Sequence, residues 1–270
     1  MGIAEGLLLG VVQGLTEFLP VSSSGHLIVA REVLGLQVEY GLAMDAALHL
    51  ATAAAVCLYF WRDITRLARG AWAREERART LLGALAVGTV PAAVAGLALG
   101  SYIEAYTRGV GVVIFGLIAG SVVMAAAERA FARSAAARSV AQEGEPRVSL
   151  RSGVAIGLFQ ALALFPGMSR SGMTISAGLM FGLSRTEAMR FAFLLSFPIV
   201  LGAGLMQTKE LYQSGVFAAE LFPLAAAAAA SLASGLAAIH FMLRFLRTHT
   251  LLPFILYRLI LAAILAVVFF

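Results

Sequence analysis

Apolar residues run along most of this chain almost without interruption, and the breaks between runs are short, polar and rich in arginine. Six runs, at about 42–61, 79–99, 108–127, 188–206, 222–243 and 252–269, approach the ~20 residues a helix needs to cross a bilayer core. Two further regions are apolar but broken in the middle. Residues 3–19 and 25–35 flank Pro20-Val21-Ser22-Ser23-Ser24, and residues 153–165 and 173–183 flank Pro166-Gly167-Met168-Ser169-Arg170-Ser171-Gly172. Such arms predict helix–turn–helix hairpins that enter the membrane and return. Irregular backbone at that depth is tolerated only where it is buried in protein or lines a wet cavity. The expected fold class is an all-α polytopic membrane protein with six transmembrane helices and two re-entrant hairpins, at about 3–35 and 153–183.

The hairpins match each other. Gly10, Gln13, Phe18, Ser22, Ser24 and Gly25 align with Gly157, Gln160, Phe165, Ser169, Ser171 and Gly172 at one offset (160 − 13 = 147). Each hairpin precedes three spans, and an odd number inverts the second half relative to the first. The expected organisation is an inverted-topology repeat: residues 1–130, a cytoplasmic linker at 131–152, and residues 153–270. Arginines agree with this layout. The loop at 62–79 carries Arg62, Arg66, Arg69, Arg74, Arg77 and Arg79, and that at 128–152 carries Arg129, Arg133, Arg138, Arg147 and Arg151. Two spans separate these loops, so they share a face, which the excess of cations makes cytoplasmic. Arg185, Arg190, Arg244 and Arg247 fall on that face too. The opposite loops, near 36–41, 100–107 and 207–221, hold Lys209 against Glu39, Glu104, Glu210 and Glu220. Both termini and the first hairpin then enter from outside, and the second hairpin from the cytoplasm.

Composition narrows the function classes. Of the 270 residues, 60% are hydrophobic and only 13% charged, too few charges to cover a soluble domain of this size. The net charge of +5 sits in loops between apolar runs, which speaks for membrane topology and against nucleic acid. A single cysteine, Cys57, excludes a disulfide scaffold, and four histidines show no zinc-ligand spacing. Met1 to Glu5 lacks the cationic start of a signal peptide, and Gly6 stands where myristoylation needs Ser or Thr.

The chemistry concentrates at the hairpin tips. Gln13 and Glu17, four apart, share a helix face. Pro20 ends that arm, Ser22, Ser23 and Ser24 can cap the next helix, and His26 stands in its first turn. At the second tip Pro166 and Gly167 break the chain, Ser169 and Ser171 are cap candidates, and Arg170 and Thr174 flank them. Two half-helix N-termini aimed at one point offer free N–H groups and positive dipole ends. With a guanidinium beside them they suit phosphate. A carboxylate and a guanidinium at membrane depth each cost ~2.5–3.5 kcal/mol, which favours function for Glu17 and Arg170, although a mutual salt bridge is the simplest structural alternative. His49 reads as a satisfied core histidine and Arg258 as a snorkelling or paired cation. Asp45 is a candidate cavity-lining acid, Arg31 and Glu32 are interfacial, and His240 and His249 suggest no role.

Gln13-Gly14-Leu15-Thr16-Glu17-Phe18-Leu19-Pro20 with Ser22-Ser23-Ser24-Gly25-His26 resembles the first signature of the bacterial undecaprenyl-pyrophosphate phosphatases, the bacitracin-resistance family. Pro166-Gly167-Met168-Ser169-Arg170-Ser171-Gly172-Met173-Thr174 resembles the second, and the resemblance covers the whole chain. It implies a phosphatase of the bacterial inner membrane that regenerates the lipid carrier for peptidoglycan synthesis, needs Mg²⁺ or Ca²⁺, and faces the outer leaflet. It also implies catalytic roles for Glu17, Ser23, His26 and Arg170, and phosphate contacts from Ser22, Ser24, Ser169, Ser171 and Thr174. The metal falls to Glu17 and Gln13, and Gln13 departs from the glutamate of many members, leaving one fewer anionic ligand. Ser23 with His26 as base, His26 itself, or water can each be the nucleophile. Partners are the polyprenyl pyrophosphate and membrane lipids, with room for a homodimer. A secondary transporter or lipid flippase is the rival reading, because inverted repeats are common there.

Overall fold

Proline, glycine and serine decide where the helices stop. Helix α1 (Ile3–Phe18) ends two residues before Pro20, and α2 (Ser23–Leu34) begins after the N-cap Ser22 and closes on left-handed Gly35 (φ 63°). The chain continues through α3 (Glu39–Tyr59), α4 (Trp61–Trp72), α5 (Glu76–Tyr106) and α6 (Val110–Ala137). The second half repeats this order as α7 (Leu150–Leu162), α8 (Arg170–Met180), α9 (Arg185–Ser214), α10 (Leu221–Phe245) and α11 (Leu252–Phe269). This computed structural model describes residues 2–35, 39–107, 109–137, 148–214 and 221–270, and every regular element among them is helical.

Five helices, α5, α6, α9, α10 and α11, are long and apolar enough to cross a membrane. They coincide with five of the six expected runs; helix α3 occupies the remaining one and is apolar over Ala47–Tyr59. Exposed apolar side chains such as Leu97, Val122 and Val268 clothe the outer faces, as a hydrocarbon solvent permits. The arginine-rich segment 62–79, expected as a loop, is instead mostly helix. In α4, Ile64, Leu67 and Ala71 recur at three- and four-residue spacing and are half-buried, while Arg62, Arg66 and Arg69 stay exposed. Helix α6 likewise runs to Ala137, beyond the expected end of the first half at 130. Residues 138–147, with Arg138 and Arg147 of the expected linker, and 215–220, with Glu220, lie outside the described residues.

Ion pairs gather the expected arginine face at one end of the bundle. Arg190 meets Asp63 at 2.6 Å, Arg185 pairs with Glu128, and the other oxygen of Glu128 accepts from the backbone N–H of Leu251 at 2.8 Å.

The halves interlock. Helix α1 lies along α10 and α7 along α5, so the first arm of each hairpin packs on a long helix of the opposite half. Both crossings are close because glycine stands at matching positions. A Cβ on Gly10 would collide with the Ala227 carbonyl, and one on Gly157 with that of Gly88. Helices α3 with α9 and α6 with α11 complete the exchange around a core that includes Phe18, Phe60, Met173, Phe193 and Met242.

Replacing Gly157 with leucine should force α7 off α5 and destabilise the protein by about 1–3 kcal/mol, the usual cost of overpacking a tight contact. Unfolding in mixed micelles measures this. The same change at Gly202, where an added Cβ meets nothing, should leave the midpoint in place.

Candidate active site

The two hairpin turns meet inside the bundle, and their local geometry is the same. Ser22 (φ 77°, ψ 96°) and Ser169 (φ 73°, ψ 112°) occupy a left-handed region that side chains rarely adopt, at equivalent positions. Such backbone costs on the order of 1–3 kcal/mol and persists only where surroundings impose it. Here each serine hydroxyl caps its helix, accepting from Gly25 N–H at 3.4 Å and from Gly172 N–H at 3.2 Å. Each sits 3.3 Å from the hydroxyl two residues on, Ser24 and Ser171.

The turns are also bonded to each other. Gly167 N–H donates to the Ser22 hydroxyl at 3.1 Å, and the Ser171 hydroxyl donates to the Leu19 carbonyl at 3.0 Å. Arg258 of α11 completes the joint. Its Nη2 donates to the Gly167, Gly116 and Leu117 carbonyls at 2.9, 3.0 and 3.1 Å, its Nη1 to the Pro20 carbonyl at 3.4 Å, and its Nε to the Ser121 hydroxyl at 3.1 Å. Arg258 therefore does not snorkel: its exposure is 0%, and its five acceptors are neutral. The guanidinium fork supplies donors to carbonyls that two broken helices leave unused.

This joint sets Glu17 against Arg170. Arg170 Nη2 donates to one Glu17 oxygen at 2.6 Å, with side-chain exposures of only 14% and 6%. The second Glu17 oxygen accepts from Gln13 Nε2 at 3.0 Å and from the Ser23 hydroxyl in a short hydrogen bond. Arg170 Nη1 reaches the Ser196 carbonyl at 3.0 Å, which steadies the fork against α9. Gln13, Glu17, Ser23 and Arg170 thus form one cluster drawn from both turns. Thr174 donates to the Arg170 carbonyl at 2.9 Å and supports α8 from within, while Ser24 is exposed.

His26 lies one turn beyond Ser23 on α2, but its bonds go elsewhere. Nδ1 meets the Ser22 carbonyl at 2.7 Å and Nε2 the Tyr257 hydroxyl at 2.7 Å. The hydroxyl of Ser23 rests on Glu17 and not on His26. His49 is held by Gln207 at 3.0 Å, His240 by Tyr59 at 3.1 Å, and Asp45 pairs with Arg31. Sequence patterns passed over Tyr257 and undervalued Arg258. The one available signal was a cation inside an otherwise apolar span.

A hard cation has oxygen donors here. Gln13 Oε1 is buried without a hydrogen-bond partner, next to the Glu17 carboxylate. Among the described residues no three His, Cys, Asp or Glu side chains come together, so the chain alone offers an incomplete shell.

Exchanging Arg258 for methionine should strand buried carbonyls of both turns and destabilise the protein by at least ~2 kcal/mol. Hydrogen exchange at Gly167 and Gly25 should rise first; unchanged protection there would show that the turns hold without the clasp.

A family model described as bacitracin resistance protein BacA matches residues 6–264. An undecaprenyl-diphosphatase of Geobacter sulfurreducens is 43% identical over 269 residues and 96% of each chain. Another, of Rubrobacter xylanophilus, is 41% identical over 98% of this chain and 97% of its own. One of Myxococcus xanthus is 41% identical over 99% of this chain and 89% of its own. With the match running through both turns, this chain belongs to the bacitracin resistance protein BacA family.

Proposed function

We propose that this protein is an integral membrane undecaprenyl-diphosphatase, hydrolysing undecaprenyl pyrophosphate to undecaprenyl phosphate. It thereby recycles the lipid carrier for peptidoglycan synthesis and confers bacitracin resistance. Family membership supports the substrate. The observation that carries the chemistry is the Ser23 hydroxyl held on the Glu17 carboxylate, with the Arg170 guanidinium on the same acid.

Glu17 takes the Ser23 proton as Ser23 Oγ attacks the terminal phosphorus. A new O–P bond forms, the anhydride P–O bond breaks, and undecaprenyl phosphate departs. Water then hydrolyses the phosphoserine and restores the hydroxyl. Arg170 has donors beyond those spent on Glu17 and Ser196, and they grip the phosphate oxygens as these gain charge. The N-terminal N–H groups of α2 and α8, set by Ser22 and Ser169, add positive dipole ends to the same place. Glu17 and Gln13 would hold Mg²⁺ or Ca²⁺, which when bound neutralises pyrophosphate charge. Glu17 replaces His26 as the base for Ser23 in this reading, because the Ser23 hydroxyl rests on Glu17, and His26 Nε2 is left to take a proton from the water that hydrolyses the phosphoserine.

The membrane arrangement we infer is six spans and two re-entrant hairpins in an inverted repeat. The matching serine dihedrals and the crossed pairing of α1 with α10 and α7 with α5 support it. With the arginine face cytoplasmic, both termini lie outside an inner membrane and the site opens toward the outer leaflet. The polyprenyl tail stays in lipid against the apolar helix faces.

Detergent-purified protein should release phosphate from a C15 or C55 prenyl pyrophosphate with Mg²⁺ and stop with EDTA. Detergent abolishes vectorial transport and permits hydrolysis, so well-folded protein without release would favour the transporter. Glu17→Gln and Arg170→Ala should each lower the rate at least ~10²-fold, the scale of losing one preorganised charge contact. Gln13→Glu should stay active. Ser23→Ala should abolish any trapped phosphoenzyme, and full turnover by that variant would transfer the attack to water.

A further inference from the structure

His26 is held on both sides by groups of different chemistry. The Ser22 carbonyl, 2.7 Å from Nδ1, can only accept a hydrogen bond, so Nδ1 carries a proton. In the neutral imidazole Nε2 is then bare, and the Tyr257 hydroxyl at 2.7 Å donates to it. The two rings also stack, with centroids 5.7 Å apart and planes 7° from parallel. One tyrosine thus restrains the plane of the imidazole and occupies its basic nitrogen. Tyr257 cannot drift easily, because its chain neighbour Arg258 is bonded to five acceptors, including a carbonyl from each turn. The last helix is thereby registered against α2, and His26 is tied to a residue 231 positions away.

We propose that Tyr257 is a positioning residue for His26: with the Ser22 carbonyl fixing the Nδ1–H tautomer, the Tyr257 hydroxyl holds Nε2 and aims the imidazole, and turnover depends on that orientation. With Nδ1 committed to a backbone carbonyl, Nε2 is the one nitrogen able to exchange a proton, and Tyr257 governs access to it. Tyr257 as a residue is 45% exposed, and its oxygen keeps a second lone pair. A second assignment for Tyr257, a direct hydrogen bond to substrate, predicts different kinetics: binding would weaken, and the loss would persist without His26. This proposal rests on the phosphatase reading for its kinetic part, whereas the hydrogen bond at Nε2 can be observed whether or not the protein hydrolyses anything.

The test removes only the hydroxyl. Tyr257→Phe keeps the ring, its stacking and its bulk, so the fold should be retained. Protein labelled with ¹⁵N at its four histidines, in detergent, reports the tautomer, since the protonated and bare nitrogens of a neutral imidazole resonate far apart. The His26 signals are those missing from His26→Ala. In the unsubstituted protein they should show Nδ1 protonated and Nε2 bare but hydrogen-bonded, and in Tyr257→Phe the Nε2 signal should move to that of a bare nitrogen without a donor. In parallel, kcat for phosphate release should fall about tenfold in Tyr257→Phe with KM unchanged, the scale of one lost hydrogen bond to an ionisable group. Placed in the His26→Ala background, Tyr257→Phe should cost nothing more. Unmoved His26 nitrogens, an unchanged kcat, or a full loss that persists without His26 would each overturn the proposal. Absence of hydrolysis by the unsubstituted protein would instead sink the phosphatase reading, and the nitrogen spectra would still decide whether Tyr257 holds Nε2.

Discussion

A bilayer offers no water to the backbone, so a chain that breaks its helices at depth must satisfy the freed N–H and C=O groups from within the protein. The same demand holds for any turn buried in protein, and it organises this molecule. Two turns interrupt the apolar chain, and each leaves polar groups that its own residues cannot cover. Placed together, they cover each other: Gly167 N–H meets the Ser22 hydroxyl, the Ser171 hydroxyl meets the Leu19 carbonyl, and Arg258 collects carbonyls from both. The cost of burying a guanidinium is met by five aligned acceptors, and in return the meeting point of the hairpins becomes rigid.

Rigidity there has a chemical consequence. Glu17 and Arg170 belong to opposite halves, 153 residues apart, and meet only because the turns are joined. The crossed packing of α1 on α10 and α7 on α5 means that neither half can form this pair alone. A carboxylate supplied with three donors is held in one orientation, with the Ser23 hydroxyl already on it.

The strained serines carry the same logic at the scale of single residues. Ser22 and Ser169 accept an unfavourable φ, and in exchange each hydroxyl caps a helix whose N-terminus points into the site. Glycine would relieve the strain but remove the cap; serine keeps the cap and bears the strain.

Much of this was legible along the chain. Long apolar runs announce membrane helices because only such helices bury their own backbone polarity in lipid. Pro20, Pro166 and Gly167 mark the turns, and Ser22 and Ser169 the caps, since these effects act within a few residues. Glu17 and Arg170 stood out because charge is expensive in an apolar run. Helix α4 escaped notice because its arginines read as loop when only average polarity is weighed, and its apolar face matters only against a neighbouring helix. The partners of Arg258 and Tyr257 could not be assigned: they lie at Pro20, Gly116, Gly167 and His26, and no local spacing encodes a meeting over such distances. The sequence by itself determined the helices, the turns and the residue types at the tips, all consequences of short-range sterics and of transfer from water to lipid. Only the tertiary structure decided which hydroxyl rests on which carboxylate and which cation clasps the turns, because those bonds exist only once two distant halves are packed to ångström precision.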